Sequence, residues 1–219
     1  MDVIVALISI LILGAIFTLL LIRKPQNWLD WALIWVYGSN FVFEVAMFIT
    51  SKMGMRNHFL LNIHTLLLGS GMFLVIIIIW KRLLVRTFSQ NILIAVLITY
   101  TLVWLGDNFI LHSFYIFNPL NQAIIFMVNL CLVVYLLNVL LFMRKVGPSV
   151  NVDRFLIFAF LVHCFACVVV DSFLNYYIVL PESLYLLVSI MGQVLAAVAH
   201  FFVLLAVIWL VKTRKYISL

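Results

Sequence analysis

In the apolar run HCFACVVVDSFLN, residues His163, Cys167, Asp171 and Asn175 recur every four positions. On a helix that spacing puts all four along one side, drifting slowly around it. Imidazole, thiol, carboxylate and carboxamide can hold a proton, a cation or a hydrogen-bonding ligand. In hydrocarbon each ionisable group costs roughly 2.5–3.5 kcal/mol on insertion scales. Groups kept at that cost face a bundle interior and mark function. The simplest task of such a stripe is to line a polar pocket.

The other acids sort by position. Asp2, Asp30, Asp153 and Glu182 fall at helix ends or in loops, whereas Glu44, Asp107 and Asp171 fall within apolar segments. Tyr37, Asn40 and Glu44 form a second short stripe, and Asn62 and His64 lie near the start of the next apolar run. Carboxylates crowded together in a low dielectric cannot all stay ionised. They hold protons, a cation or a metal, or pair with histidine. The candidate proton- or ligand-binding set is therefore Glu44, His64, Asp107, His163 and Asp171, with Asn62 and Asn175 beside them. Asn129, Asn138, Gln193 and His200, taken singly, read as hydrogen bonds between helices.

The elements that carry these residues follow from composition. The 219 residues are 68% hydrophobic and 9% charged, with a mean hydropathy of +1.30. A soluble domain has about a quarter charged residues, so this is an integral membrane protein. Seven apolar runs have the length of membrane-spanning helices, at about 3–22, 28–50, 58–80, 90–111, 122–143, 155–177 and 183–211. The fold class is all-α, a single seven-helix transmembrane domain over residues 1–219. The ten-residue alternation of a β-barrel is absent. The first run has no basic residues ahead of it and no small-residue cleavage site, so it reads as a retained helix.

Basic residues set the orientation. Arg23, Lys24, Lys81, Arg82, Arg86, Arg144, Lys145, Arg154, Lys212, Arg214 and Lys215 fall on one side, and Lys52 and Arg56 on the other. That bias puts the N-terminus outside and the C-terminus in the cytoplasm. Glu44, Asp107 and Asp171 then lie in the outer third of the bilayer, with His163 deeper. The net charge of +6 is a topology signal, and nucleic acid is not an expected partner.

Glycines Gly69, Gly71 and Gly192, with Ala196 and Ala199, mark close helix packing. Helix 1 carries nothing more polar than Ser9 and Thr18 and is expected at the lipid-facing periphery. Helices 3 and 7 align with Leu60 on Leu187, Asn62 on Ser189 and Ile63 on Ile190, and the same offset puts Glu44 on Asp171. That allows a 3+1+3 parallel repeat in which helix 4 joins two triplets.

No cofactor is expected. Cys164 and Cys167 form one C-x-x-C inside a helix, where thiols act as small buried hydrophobes. A carboxylate–histidine metal site from Glu44, His64, Asp107 and Asp171 is the alternative, and it suits a membrane-embedded hydrolase acting on a lipid. No G-x-S-x-G, H-E-x-x-H or phosphate-binding glycine loop is present. Membrane hydrolases of the ceramidase and progestin-receptor type carry two histidines four apart in the last helix. Here His200 has Ala196 in that position.

The run KMGMRNHFLLNIHTLL resembles the helix 2–3 junction of small seven-helix proteins common in Gram-negative bacteria. The likeness rests on Asn57, Leu60, Asn62, Ile63 and His64. It implies a multi-pass protein of a bacterial inner membrane and carries no function. The residues favour a non-enzymatic role, in which an outward-facing pocket binds a proton, cation or small polar ligand for transport or sensing. The alternatives are the lipid hydrolase and a non-catalytic subunit of a larger complex. The partners are the bilayer, the ligand or ion, and, in the subunit reading, a membrane or cytoplasmic protein.

Overall fold

The computed structural model describes residues 2–55, 57–84, 90–111, 119–142, 148–174 and 181–217. They are helical almost throughout: α1 (Asp2–Arg23), α2 (Trp28–Lys52), α3 (His58–Leu84), α4 (Gln90–Leu105) with a π-helical extension (Gly106–Leu111), α5 (Pro119–Phe142), α6 (Pro148–Leu174) and α7 (Glu182–Ile217). Among the described residues, seven helices are long and apolar enough to cross a membrane. In lipid the backbone must satisfy its own polar groups, and a helix does so within each segment.

Local chemistry sets the helix ends. Asn27 Oδ1 accepts from Asp30 N at 3.0 Å, and Asp30 Oδ2 accepts from Gln26 N at 3.0 Å, so the start of α2 is capped from both sides. At its other end Gly54 takes φ 70°. Gly54 N then donates to Ser51 O and Met55 N to Thr50 O, the pair of bonds that closes a helix on a left-handed glycine. Proline opens α5 and α6 at their first positions, where a missing N–H costs nothing. α6 consequently begins seven residues before its apolar run, and α7 continues six residues past its own.

Six helices form a closed ring in the order α1, α2, α3, α5, α6, α7, with α7 returning to α1. α4 lies outside the ring against α3 and α5. α1 closes the ring between α2 and α7 and still turns an apolar face outward, with Ile4, Leu11 and Ile22 exposed. Glycine sets the spacing of the ring. A Cβ on Gly69 would collide with Ile125 of α5, one on Gly71 with Val36 of α2, and one on Gly192 with Val170 of α6.

One half of the ring is filled. Tyr37, Met72, Ile76, Phe160, Val203 and Val207 are buried in a continuous apolar core. Two ion pairs stand at that end: Arg23 with Asp30 at 3.2 Å, and Arg82 with Asp153 at 3.3 Å, the latter joining α3 to α6. Trp28, Trp31 and Trp35 are exposed along one face of α2 at the same end. The other half of the ring is hollow.

Candidate functional site

A cavity of about 230 Å³ occupies the hollow half. Its walls come from the C-terminal halves of α2 and α6 and the N-terminal halves of α3, α5 and α7. α2 contributes Asn40 and Glu44, one turn apart, and α3 contributes His64 and Thr65. α6 contributes His163 and Cys167, α7 contributes Ser189, Gln193 and His200, and α5 contributes Gln122. The stripe that begins at His163 therefore runs along a cavity wall through Cys167. The backbone of Asp171 continues α6, but its side chain, and Asn175 altogether, lie outside the described residues.

The deep end of the cavity is organised by one carboxamide. His64 Nε2 lies 2.9 Å from Asn40 Oδ1, and Asn40 Nδ2 lies 3.2 Å from His200 Nε2. His200 Nδ1 in turn lies 3.0 Å from Ser9 Oγ. Four helices, α3, α2, α7 and α1, are joined through this chain. With the amide in this orientation His64 donates to Asn40, Asn40 donates to His200, and His200 donates to Ser9. Turning the amide over reverses every donor and keeps all three bonds, so the tautomers of the two histidines switch together. The third imidazole, His163, packs 5.8 Å from His200 and edge-on to Phe126, ring centroid to ring centroid.

Ser9, His200 and Asn40 pair in the order a nucleophile, base and orienting group would. Ser9 is mid-helix, however, and the backbone N–H groups around it are committed to the α1 ladder. They cannot cradle an oxyanion.

The candidate acids separate. Glu44 faces the cavity. Asp107 is buried at the junction of α4 and α5, where its Oδ2 accepts from Asn121 N at 3.1 Å in the first turn of α5. That is a cap on a helix N-terminus, where a negative charge is favoured. Asn108 sits beside it and donates to Trp104 O at 2.9 Å, satisfying a carbonyl near the wide π-helical turn. Asn62 is two residues from His64, hence on nearly the opposite side of α3, and its backbone carbonyl accepts from the Trp104 indole at 2.7 Å. Of the set Glu44, His64, Asp107 and Asp171 weighed for a metal, Glu44 and His64 share the cavity and Asp107 is engaged elsewhere. Among the described residues no three His, Cys, Asp or Glu side chains are grouped to hold a metal ion.

Asn129 ties three helices together, accepting from Tyr100 Oη at 3.2 Å and donating to Gly69 O at 2.9 Å. Asn138 is exposed. Gln193 and His200 are cavity residues, and with Ser189 and Ala196 they trace one face of α7. That face was readable as a spacing, but nothing in the sequence separates it from an ordinary packing seam. Comparison with family models, curated proteins and solved structures gives no match.

Proposed function

We propose that this chain is a multi-pass protein of a bacterial inner membrane whose cavity opens outward and binds a proton, cation or small polar ligand for transport or sensing. The observation that carries this reading is a cavity with polar side chains set into its apolar walls, open in one half of the bundle and sealed by side chains in the other. Burying Asn40, His64, His163 and His200 together in such a bundle, with Glu44 half-buried beside them, is costly unless the pocket has a use.

Orientation rests on charge. Arg23, Lys81, Arg82, Arg154 and Lys212 gather at the sealed end, which the positive-inside rule places in the cytoplasm. Trp28 and Trp31 fit the headgroup level there. The N-terminus is then outside and the C-terminus inside. The cavity corresponds to about seven or eight waters of liquid volume, the size of a small metabolite. Transport requires the seal below Tyr37 and Phe160 to open, and sensing requires ligand to shift the helices against it. The place of α4 outside the ring, between α1–α3 and α5–α7, supports the 3+1+3 repeat.

The test is thiol labelling. With Cys131 and Cys164 replaced by serine and alanine, Cys167 remains on the cavity wall. A membrane-impermeant charged thiosulfonate added to intact spheroplasts is expected to modify it. Modification from inverted vesicles alone would refute the orientation. No modification from either side would refute the open cavity.

A further inference from the structure

Among the described residues, three polar groups on the cavity wall have no hydrogen-bond partner. His163 is only 9% exposed, and its Nε2 makes no hydrogen bond; the same holds for Gln193 Oε1. Among the described residues the Glu44 carboxylate makes no hydrogen bond or ion pair, and it faces the same space. The three come from α6, α7 and α2 and converge on one volume. His163 Nε2 and Gln193 Oε1 are buried, and such atoms left unsatisfied cost about 1–3 kcal/mol each, so water or a ligand in the cavity completes the site. The carboxylate accepts hydrogen bonds outright, the Gln193 amide accepts in one of its two orientations, and the imidazole accepts in one of its tautomers. Among the described residues no lysine or arginine lines the cavity. What fits is a donor of hydrogen bonds with positive charge.

The remaining wall decides the kind of cation. Leu61, Phe126 and Val170 face the same space. Calcium and magnesium take a shell of oxygen ligands, and zinc or copper takes imidazole, thiolate or carboxylate ligands held close together. Among the described residues no three such side chains are so grouped, and the volume is far larger than an ion. An apolar body with a charged amine head matches it, the body lying against the aliphatic wall and the Phe126 ring.

We propose that the cavity binds a small organic ammonium ion in exchange for a proton held on Glu44. The inference rests on the outward pocket of the preceding section and names its ligand class. In the exchange, protonated Glu44 and a free ammonium ion give a Glu44 carboxylate paired to the bound ammonium, plus one proton released to water at the cavity mouth. One positive charge enters as one leaves, so the bundle never holds a lone ion in low dielectric. The remaining N–H donors go to Gln193 Oε1 and His163 Nε2. Other titratable groups face Glu44 across the cavity: His64 from α3, His163 and Cys167 from α6, and His200 from α7. Among the described residues α1 and α5 bring none to this wall.

The experiment is calorimetric titration of the purified full chain in mild detergent with benzylammonium, benzyl alcohol and benzoate, which share a ring and differ in charge. Benzylammonium is expected to bind at least about tenfold more tightly than the other two. Its affinity rises with pH, by up to about tenfold per pH unit, while a proton occupies Glu44. Buffers of different ionisation enthalpy then report one proton released per ligand. Glu44→Gln loses the proton release and at least about tenfold in affinity. Glu44→Asp, which keeps the carboxylate, retains both and shows that the fold tolerates change there. Benzyl alcohol binding as tightly as benzylammonium, or an unaltered Glu44→Gln, overturns the exchange. Absence of benzylammonium binding in a protein whose Cys167 labels from outside also overturns it, and leaves the pocket standing. Failure of the labelling itself overturns the reading beneath.

Discussion

Ser9 Oγ lies 3.0 Å from Nδ1 of His200, and this bond ties the middle of α1 to α7 across 191 residues of sequence. It completes the chain that starts at His64 and passes through Asn40. A ring of six helices needs a device to close its first member onto its last. In a bundle without hydrophobic driving force between helices, hydrogen bonds and close packing supply it.

Asn40 is the hinge of that chain, because its amide satisfies two imidazoles at once. Asn40→Leu keeps the volume and removes both bonds, leaving His64 Nε2 and His200 Nε2 without partners. The expected loss is about 2–4 kcal/mol of stability, read as an earlier unfolding midpoint in a denaturant titration in detergent. Ser9→Ala removes only the outer bond and is expected to cost about 1 kcal/mol or less. An Asn40→Leu midpoint equal to the wild type would show that the chain contributes nothing.

Gly69 and Gly192 test the packing. Valine at either position drives a methyl-bearing Cβ into Ile125 or Val170, and forced overpacking costs about 1–3 kcal/mol. Gly106→Ala is the control, since a Cβ there meets nothing within 4 Å. Thermal unfolding of the three variants is expected to show lower midpoints for Gly69→Val and Gly192→Val. Gly106→Ala should stay close to wild type. Equal midpoints for all three would mean that the helices simply move apart.

How much of this was legible depended on whether a residue acts within its own helix. The seven runs, the basic bias and the packing glycines are properties of single segments, and composition with 3.6-residue spacing exposes them. The stripe from His163 to Cys167 was readable for the same reason. Gln193 and His200 were harder, because their spacing on α7 is also that of an ordinary packing seam, and they and the Asn40 bonds to two imidazoles become a site only where helices meet. Glu44 and Asp107 look alike in sequence, both acids in apolar runs. They part because a π-helical turn carries Asp107 to the start of α5, and no residue pattern announces that turn.

Asp107 therefore makes a sharp prediction. Its carboxylate caps the first turn of α5, and Asp107→Ala is expected to cost about 0.5–2 kcal/mol. Asp107→Asn keeps a side-chain oxygen acceptor and is expected to lose less. Neither change should alter thiosulfonate labelling of Cys167 or the pH dependence of ammonium binding. A change in ligand affinity in Asp107→Asn, with stability intact, would instead place this acid in the binding machinery.

At the sealed end, Arg82 and Asp153 join α3 to α6 with the carboxylate 3% exposed and the guanidinium 34% exposed. A fully exposed pair is worth about 0–1 kcal/mol, and breaking a fully buried one costs about 3–5. This pair falls between, because water reaches the arginine but not the aspartate. A double-mutant cycle with Arg82→Gln and Asp153→Asn is expected to give a coupling energy of about 1–2 kcal/mol. Asp153→Asn alone should cost less than Arg82→Gln alone, since the first leaves an arginine that can turn to water and the second leaves a buried carboxylate with its charge uncompensated. If the seal must open for transport, weakening this pair frees α3 from α6. Cys167 in the double variant would then label from inverted vesicles as well as from outside. Labelling confined to the outer face, with stability lowered as expected, would assign the pair to assembly of the bundle and not to its gate.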